Sequence, residues 1–400
     1  MGKPEDLPGQ IKDETFGGKV AVTSVVMLLC FILVNVVKHK KQKMKKIYML
    51  LCLAAVFASC EKEKKVELNI PVPIPAPGDS GKSVFVVNEG SFGAGNGAIS
   101  FISPSGYFVR DIYQTVNGQP LGDIVQSFTI QDSTGYIVVN NSFKVEVVNM
   151  KDFTTKGTIT GFTSPRFFLA VNSTKGYVSD WFSNTVKIVD LNAKAVTGSI
   201  PAGSGPEQML MVNGKVYVCN VGGFGLDSTV TVINAATDAV VKTINTGVNP
   251  GSLVKDDAGH ILVLCSGSTG PDFTGGTPDD IGGAVSVIDP ATDNVINTFN
   301  LGQSVHPVKM AANENGSKIY MLHGDDSYSG VIKEFNKTTG NFTTVVNQSF
   351  YGLSVNPQNG DIYGGRYGFS GNCYLLHYSS NANLIDSVEV GIGPNNCVFY

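Results

Sequence analysis

The chain has 400 residues, 42% of them apolar and 16% charged, which is enough apolar content to bury a sizeable core. Charge is unevenly divided: residues 1–82 carry 13 Lys/Arg against 8 Asp/Glu, whereas residues 83–400 carry 16 against 25. The acidic C-terminal body argues against non-specific nucleic-acid binding, which needs basic patches to displace counterions.

In chain order, residues 1–43 come first, and Val20 to Val37 form 18 largely apolar residues, long enough for a membrane span. From Met44 the sequence reads MKKIYMLLCLAAVFASC. Lys45 and Lys46 make a basic start, Ile47 to Phe57 an apolar run, and Ala58-Ser59 the small pair before Cys60, which is the layout of a secretory signal. Because a signal behind a span is unusual, residues 1–43 are read as an over-extended start or a membrane segment, and 44–59 as the signal. The Cys directly after the small pair resembles a bacterial lipobox, which implies a lipid on Cys60; an ordinary signal with an incidental Cys is the alternative. Residues 60–82 alternate charges and then turn proline-rich, as suits an exposed, semi-extended tether.

From residue 83 onward the sequence repeats. The clearest unit contains Pro206 to Leu210, Lys215 to Asn220, Thr229 to Asn234 and Ala239 to Ile244, each alternating with period two and rich in β-branched residues. Asn213-Gly214 and Ala236-Thr237-Asp238 supply turns between them. Four strands in about 44 residues is the size of one propeller blade. Inner strands are expected near Asp123, Pro165, Pro206, Pro250, Pro307, Tyr351 and Pro394, with an insertion enlarging the fifth unit.

The ends bear on closure. VFVVNEG from Val84 is a second strand lacking a first, and Gly393 to Tyr400 is a first strand lacking a second. Pairing them completes one blade from both termini and leaves no open edge between blades. The expected fold is therefore all-β, a seven-bladed β-propeller of four-stranded antiparallel blades over 83–400, closed by the C-terminal strand. An open solenoid would leave the terminal strand unexplained.

Tyr217-Val218-Cys219-Asn220, followed by Thr229 to Asn234 and Ala236-Thr237-Asp238, resembles the YVTN propeller repeat. Val84 to Gly93, with Pro120-Leu121-Gly122-Asp123 downstream, resembles surface propeller lipoproteins of gut anaerobes. Some of those capture vitamin B12 (cobalamin) and hand it to a TonB-dependent outer-membrane transporter. The resemblance implies an outer-membrane, cell-surface location through the lipid anchor, such a transporter as partner, and cobalamin or a related corrinoid as bound ligand.

One face of the expected propeller carries plain turns such as Asn213-Gly214, Asn315-Gly316 and Asn359-Gly360. The other carries longer loops with aromatic, amide and glycine residues, where binding on a rigid scaffold usually sits. Apolar contacts are expected from Phe92, Trp181, Phe182, Phe224, Tyr367 and Phe369. Polar contacts are expected from Asn88, Glu89, Gln126, Asn140, Arg166, Asp180, Gln208, Asn220, Tyr351 and Arg366, with Glu207, Asn249, His306 and Asn396 also near the axis. For each residue taken singly, an Asx-turn or packing between blades is the competing role. A corrinoid, flat and edged with carboxamides, suits amide side chains that both donate and accept.

The sequence has no HExxH, GxSxG, P-loop or Rossmann glycine turn. It also lacks Cys/His metal spacing, so no catalytic residue, metal site or further cofactor is expected. Asp279, Asp280, Asp325 and Asp326 could suit Ca²⁺ only weakly, since their spacing is not an EF-hand. Cys219, Cys265, Cys373 and Cys397 are expected as free thiols inside strands. A glycan- or protein-binding surface module, or a propeller hydrolase or lyase, remains open as an alternative to corrinoid capture.

Overall fold

Side chains alternate across a strand, so a sheet sandwiched between two others must be apolar on both faces. The second strands of the blades meet it, as in Lys215–Asn220 and Ile261–Cys265, whereas outer strands such as Ala239–Asn245 are largely exposed. The computed structural model describes residues 83–271, 277–324, 329–367 and 373–400, which form seven four-stranded antiparallel sheets. The expectations for residues 1–43, the signal at 44–59, Cys60 and the linker 60–82 lie outside the described residues, as do those for Asp325, Asp326 and Phe369.

The blades follow the expected repeat. Their inner strands are Pro394–Phe399, Val125–Gln131, Pro165–Ala170, Pro206–Val212, Pro250–Lys255, Lys309–Ala312 and Gly352–Val355, for blades 1 to 7. Blade 1 is built from both ends of the domain: Val84 pairs with Phe399, Phe85 with Val398, Val86 with Cys397, Val87 with Asn396 and Asn88 with Pro394. The closure read from the orphan terminal strands is present.

The core is not one mass but seven, each between adjacent blades. Alternation in Lys215–Asn220 shows how: Val216 and Val218 pack toward blade 3, whereas Tyr217 and Cys219 pack toward blade 5. Blades 7 and 1 share such a cluster, joining Val84 and Val86 to Tyr363, Cys373 and Leu375. All four cysteines of the domain are free; Cys219, Cys265 and Cys373 are buried and Cys397 partly so.

A short helix, Ile112–Asn117, which no sequence pattern announces, follows the two-residue outer strand of blade 1. Asp111 caps it by accepting from the Gln114 amide, Gly118 ends it in the left-handed region, and it buries Ile112 and Tyr113 against blades 1 and 2. The short face of the domain does carry economical turns: Asn213 and Gly214 both have positive φ, 52° and 74°, the geometry of a two-residue hairpin.

Residues that looked like plain turn punctuation also bind blade to blade. Lys215 Nζ reaches Asp293 Oδ1 at 2.6 Å, and the Tyr217 hydroxyl donates to the same oxygen. One blade earlier, Lys175 and Tyr177 make the same pair of contacts with Asp238. In both, a Lys-x-Tyr on a second strand latches the Ala-Thr-Asp turn of the next blade. Burial opposes the charge of Asp293, but the hydrogen bonds from Lys215 and Tyr217 prevail and hold its carboxyl below the ordinary value of 3.8.

A depressed carboxylate pKa stabilises the fold above the unfolded-state value and stops doing so as pH falls through the folded one. Asp293→Ala should therefore destabilise the domain by about 1–3 kcal/mol near neutral pH, leaving the Tyr217 hydroxyl only the Pro290 carbonyl at 3.5 Å. Denaturant unfolding should show the difference from wild type shrinking as pH falls from the ordinary carboxylate value of 3.8 through the lower folded-state one. A gap independent of pH would refute the ionic latch.

Candidate functional site

The inner strands bring polar side chains to the central axis, where they line a funnel of about 540 Å³. Glu89, Gln126, Arg166, Trp181, Gln208 and Tyr351 meet there, together with Glu207 and Asn396. Lys309 and Asn395 also line it and were not singled out from sequence. Their signal was positional. Lys309 stands two residues after Pro307, as Gln208 does after Pro206 and Asn396 after Pro394.

The funnel's charges are largely matched. Arg166 grips Glu207 with two parallel hydrogen bonds of 2.8 Å each, Nε to Oε2 and Nη2 to Oε1. Burial works against the guanidinium charge, but the Glu207 carboxylate outweighs it and raises the Arg166 pKa. Glu89 accepts from the Tyr351 hydroxyl and from Asn395 Nδ2. Burial and the Glu89 charge drive the Tyr351 pKa upward, so its hydroxyl stays a neutral donor. Lys309 Nζ donates to the Asn395 carbonyl at 2.9 Å and stands over the Tyr351 ring at 5.4 Å.

Glu89 and Tyr351 are shared with a second cavity of about 860 Å³, which also includes Phe92, Arg366 and Tyr367. Phe92 is 80% exposed, and Tyr351 and Tyr367 lie with ring centroids 5.9 Å apart. On the opposite side of the funnel, Trp181, Phe182 and Phe224 form a three-ring cluster with centroids 5.5–5.8 Å apart. Phe182 is 60% and Phe224 91% exposed. Arg166 stands over the Trp181 ring at 5.2 Å, tying the cluster to the axis. Gly205 is needed beneath the indole: at φ +61° a Cβ would come within 2.5 Å of Trp181 Nε1. That Nε1 donor and the Asn396 Oδ1 acceptor are buried without hydrogen-bond partners among the described residues.

The remaining expected residues serve the blades themselves. Asn88 Nδ2 donates to the Val86 and Ala98 carbonyls and to Ser100 Oγ, and Asn220 Nδ2 to Thr229 and Thr231. Asn140 Nδ2 donates to Ser164 Oγ and the Pro165 carbonyl. Asp180 accepts from the Thr163 and Ser164 amides, fixing the approach to the inner strand of blade 3. Asn249 donates to the Gly267 carbonyl. His306 was expected near the axis but is buried between Ser266 and Asp280, at 3.0 Å from the carbonyl and 3.2 Å from Oδ1. Among the described residues no three His, Cys, Asp or Glu side chains cluster as metal ligands would.

Comparison with known families decides the relationship. The model for a domain of unknown function, DUF5074, matches residues 82–389. The chain belongs to the DUF5074 family. No curated protein matches it. Among solved structures, this DUF5074 protein is similar to a quinonprotein alcohol dehydrogenase-like protein from Bacteroides thetaiotaomicron, with 15% identity and a TM-score of 0.59 over 80% of this chain and 79% of that one. It is also similar to the periplasmic gluconolactonase of Pseudomonas aeruginosa, with 12% identity and a TM-score of 0.58 over 79% and 98%. At such identities the likeness concerns the propeller fold alone.

The Arg166–Glu207 pair yields a stability test. Arg166→Met leaves a buried carboxylate unmatched and should cost about 3–5 kcal/mol in denaturant unfolding. Arg166→Met with Glu207→Leu removes both charges and should recover most of that loss. A double variant no more stable than the single would contradict the pairing.

Proposed function

We propose that this DUF5074 protein captures a ligand on its loop-bearing face, with an apolar planar part against Trp181, Phe182 and Phe224 and polar arms over the axial funnel. The exposed three-ring cluster carries the reading. A monomeric surface does not ordinarily leave a Phe 91% exposed beside another 60% exposed unless something covers them. Phe182 and Phe224 lie 28° from parallel with centroids 5.8 Å apart, so with Trp181 they form one contiguous apolar surface.

Cobalamin or a related corrinoid is the ligand we put first. Its ring is wide and flat, and its carboxamide arms both donate and accept, as do Gln126, Gln208 and Asn396 around the funnel. The two cavities on either side of Glu89 and Tyr351 give such a ligand room to extend beyond the rings. In this reading the propeller is held at the outer surface by the lipid on Cys60 and delivers its ligand to a TonB-dependent transporter. It is a binder rather than an enzyme, because Arg166 and Glu207 are engaged with each other and Glu89 with Tyr351 and Asn395.

Calorimetry with cyanocobalamin tests this directly, and saturable heat at micromolar protein is expected. Trp181→Ala and Phe224→Ala should each remove about 1.5–3 kcal/mol of apolar contact, roughly a ten- to hundredfold loss in Kd. Phe224→Ala should leave the melting temperature unchanged. Absence of heat with cyanocobalamin, together with binding on a glycan array, would replace the corrinoid with a sugar stacked on the same rings.

A further inference from the structure

We propose that the axial funnel holds an anionic anchoring point, where the Lys309 ammonium donates hydrogen bonds to a carboxylate or phosphate oxygen of the bound molecule. Among the described residues, four charged side chains stand at the axis. Arg166 and Glu207 close on each other, and Glu89 is capped by Tyr351 and Asn395. Lys309 is different. Of its three N–H donors, one goes to the Asn395 carbonyl, and the Tyr351 ring lies beside it. Among the described residues no carboxylate is in ion-pair contact with its Nζ.

Its position adds to the case. Two residues after the opening proline of the inner strand, blades 4, 5 and 1 place the neutral groups Gln208, Ser252 and Asn396, and blade 3 places Phe167. Blade 6 alone among these proline-opened blades places a cation there. A neutral amide or hydroxyl would serve to hold one backbone carbonyl. A partly buried ammonium is an expensive way to do so unless something charged comes to meet it.

The surroundings explain how the site would respond to proton concentration. Burial pushes the Lys309 pKa down to about 8; Glu89, Glu207 and Cys397 act to raise it and Arg166 to lower it. An anion in the funnel adds a counter-charge and favours the protonated form. Binding is therefore full where the ammonium is intact and weakens as pH rises through the range in which it deprotonates. The proposal rests on the reading above only for which face is occupied, since its test requires no corrinoid.

Trp181 is the only tryptophan in the chain and lines the same funnel, so its fluorescence reports occupancy. The purified full chain is titrated near pH 7 with acetate and with inorganic phosphate at constant ionic strength, against chloride. A saturable change with acetate identifies a carboxylate anchor, and one with phosphate a phosphate anchor. Lys309→Met should weaken the response at least about tenfold while Lys309→Arg keeps it, and the acetate affinity of wild type should fall by up to about tenfold per pH unit above 8. A response no greater than that to chloride for both anions overturns the proposal, as does a folded Lys309→Met that binds like wild type. Should Lys309→Met fail to fold, the wild-type pH series decides alone: affinity for the responding anion that is flat from about pH 7 to 9.5 overturns it. Failure of cyanocobalamin with retention of acetate or phosphate binding would remove the corrinoid reading and leave this one standing.

Discussion

Five residue pairs, from Val84 with Phe399 to Asn88 with Pro394, join the two ends of the domain into one blade. The remainder of the molecule depends on that ladder. Seven separate apolar clusters each need two blades to form, so a ring with a missing wall would expose two of them at once. The same strand delivers Asn395 and Asn396 to the axis, where Asn395 donates to Glu89 from the loop that follows Val84–Asn88. Closure of the ring and assembly of the funnel are thus one event.

The blades were legible because their second and third strands pack against a neighbouring blade on each face, while the outer strands face solvent. That constraint writes short runs rich in Val, Ile and Tyr into the chain, and the turns between them fall on Asn-Gly and Ala-Thr-Asp. The orphan strands at the two ends announced their pairing for the same reason. The helix Ile112–Asn117 was not legible, since six residues give too little periodicity and its stability comes from the Asp111 cap and two buried side chains. Nor was the second use of Asp238 and Asp293, whose Lys and Tyr partners lie 61 or more residues away in sequence.

The site was half legible. Residues expected at inner-strand starts do converge: Gln126, Arg166, Gln208 and Tyr351 share the funnel, and Trp181 stands at its wall. Side chains at the ends of second strands behave otherwise. Asn88 and Asn220 direct their Nδ2 groups, and Asp180 its carboxylate, into the backbone and hydroxyls beside them, which holds the blade rather than a ligand. Their residue types alone could not separate that role from ligand contact. Lys309 carried no motif at all and gained meaning only from its place in the ring.

Two kinds of chemistry thus occupy one face. The aromatic cluster at the rim is exposed and unmatched, while the funnel below is charged and mostly matched. Both are held in place by the closing strand. Deleting the last seven residues, Pro394 to Tyr400, and following thermal unfolding by circular dichroism tests this most directly. The account predicts loss of the cooperative transition, because blade 1 loses its inner strand and the clusters beside it open. A truncated chain that melts cooperatively at the wild-type temperature would contradict it.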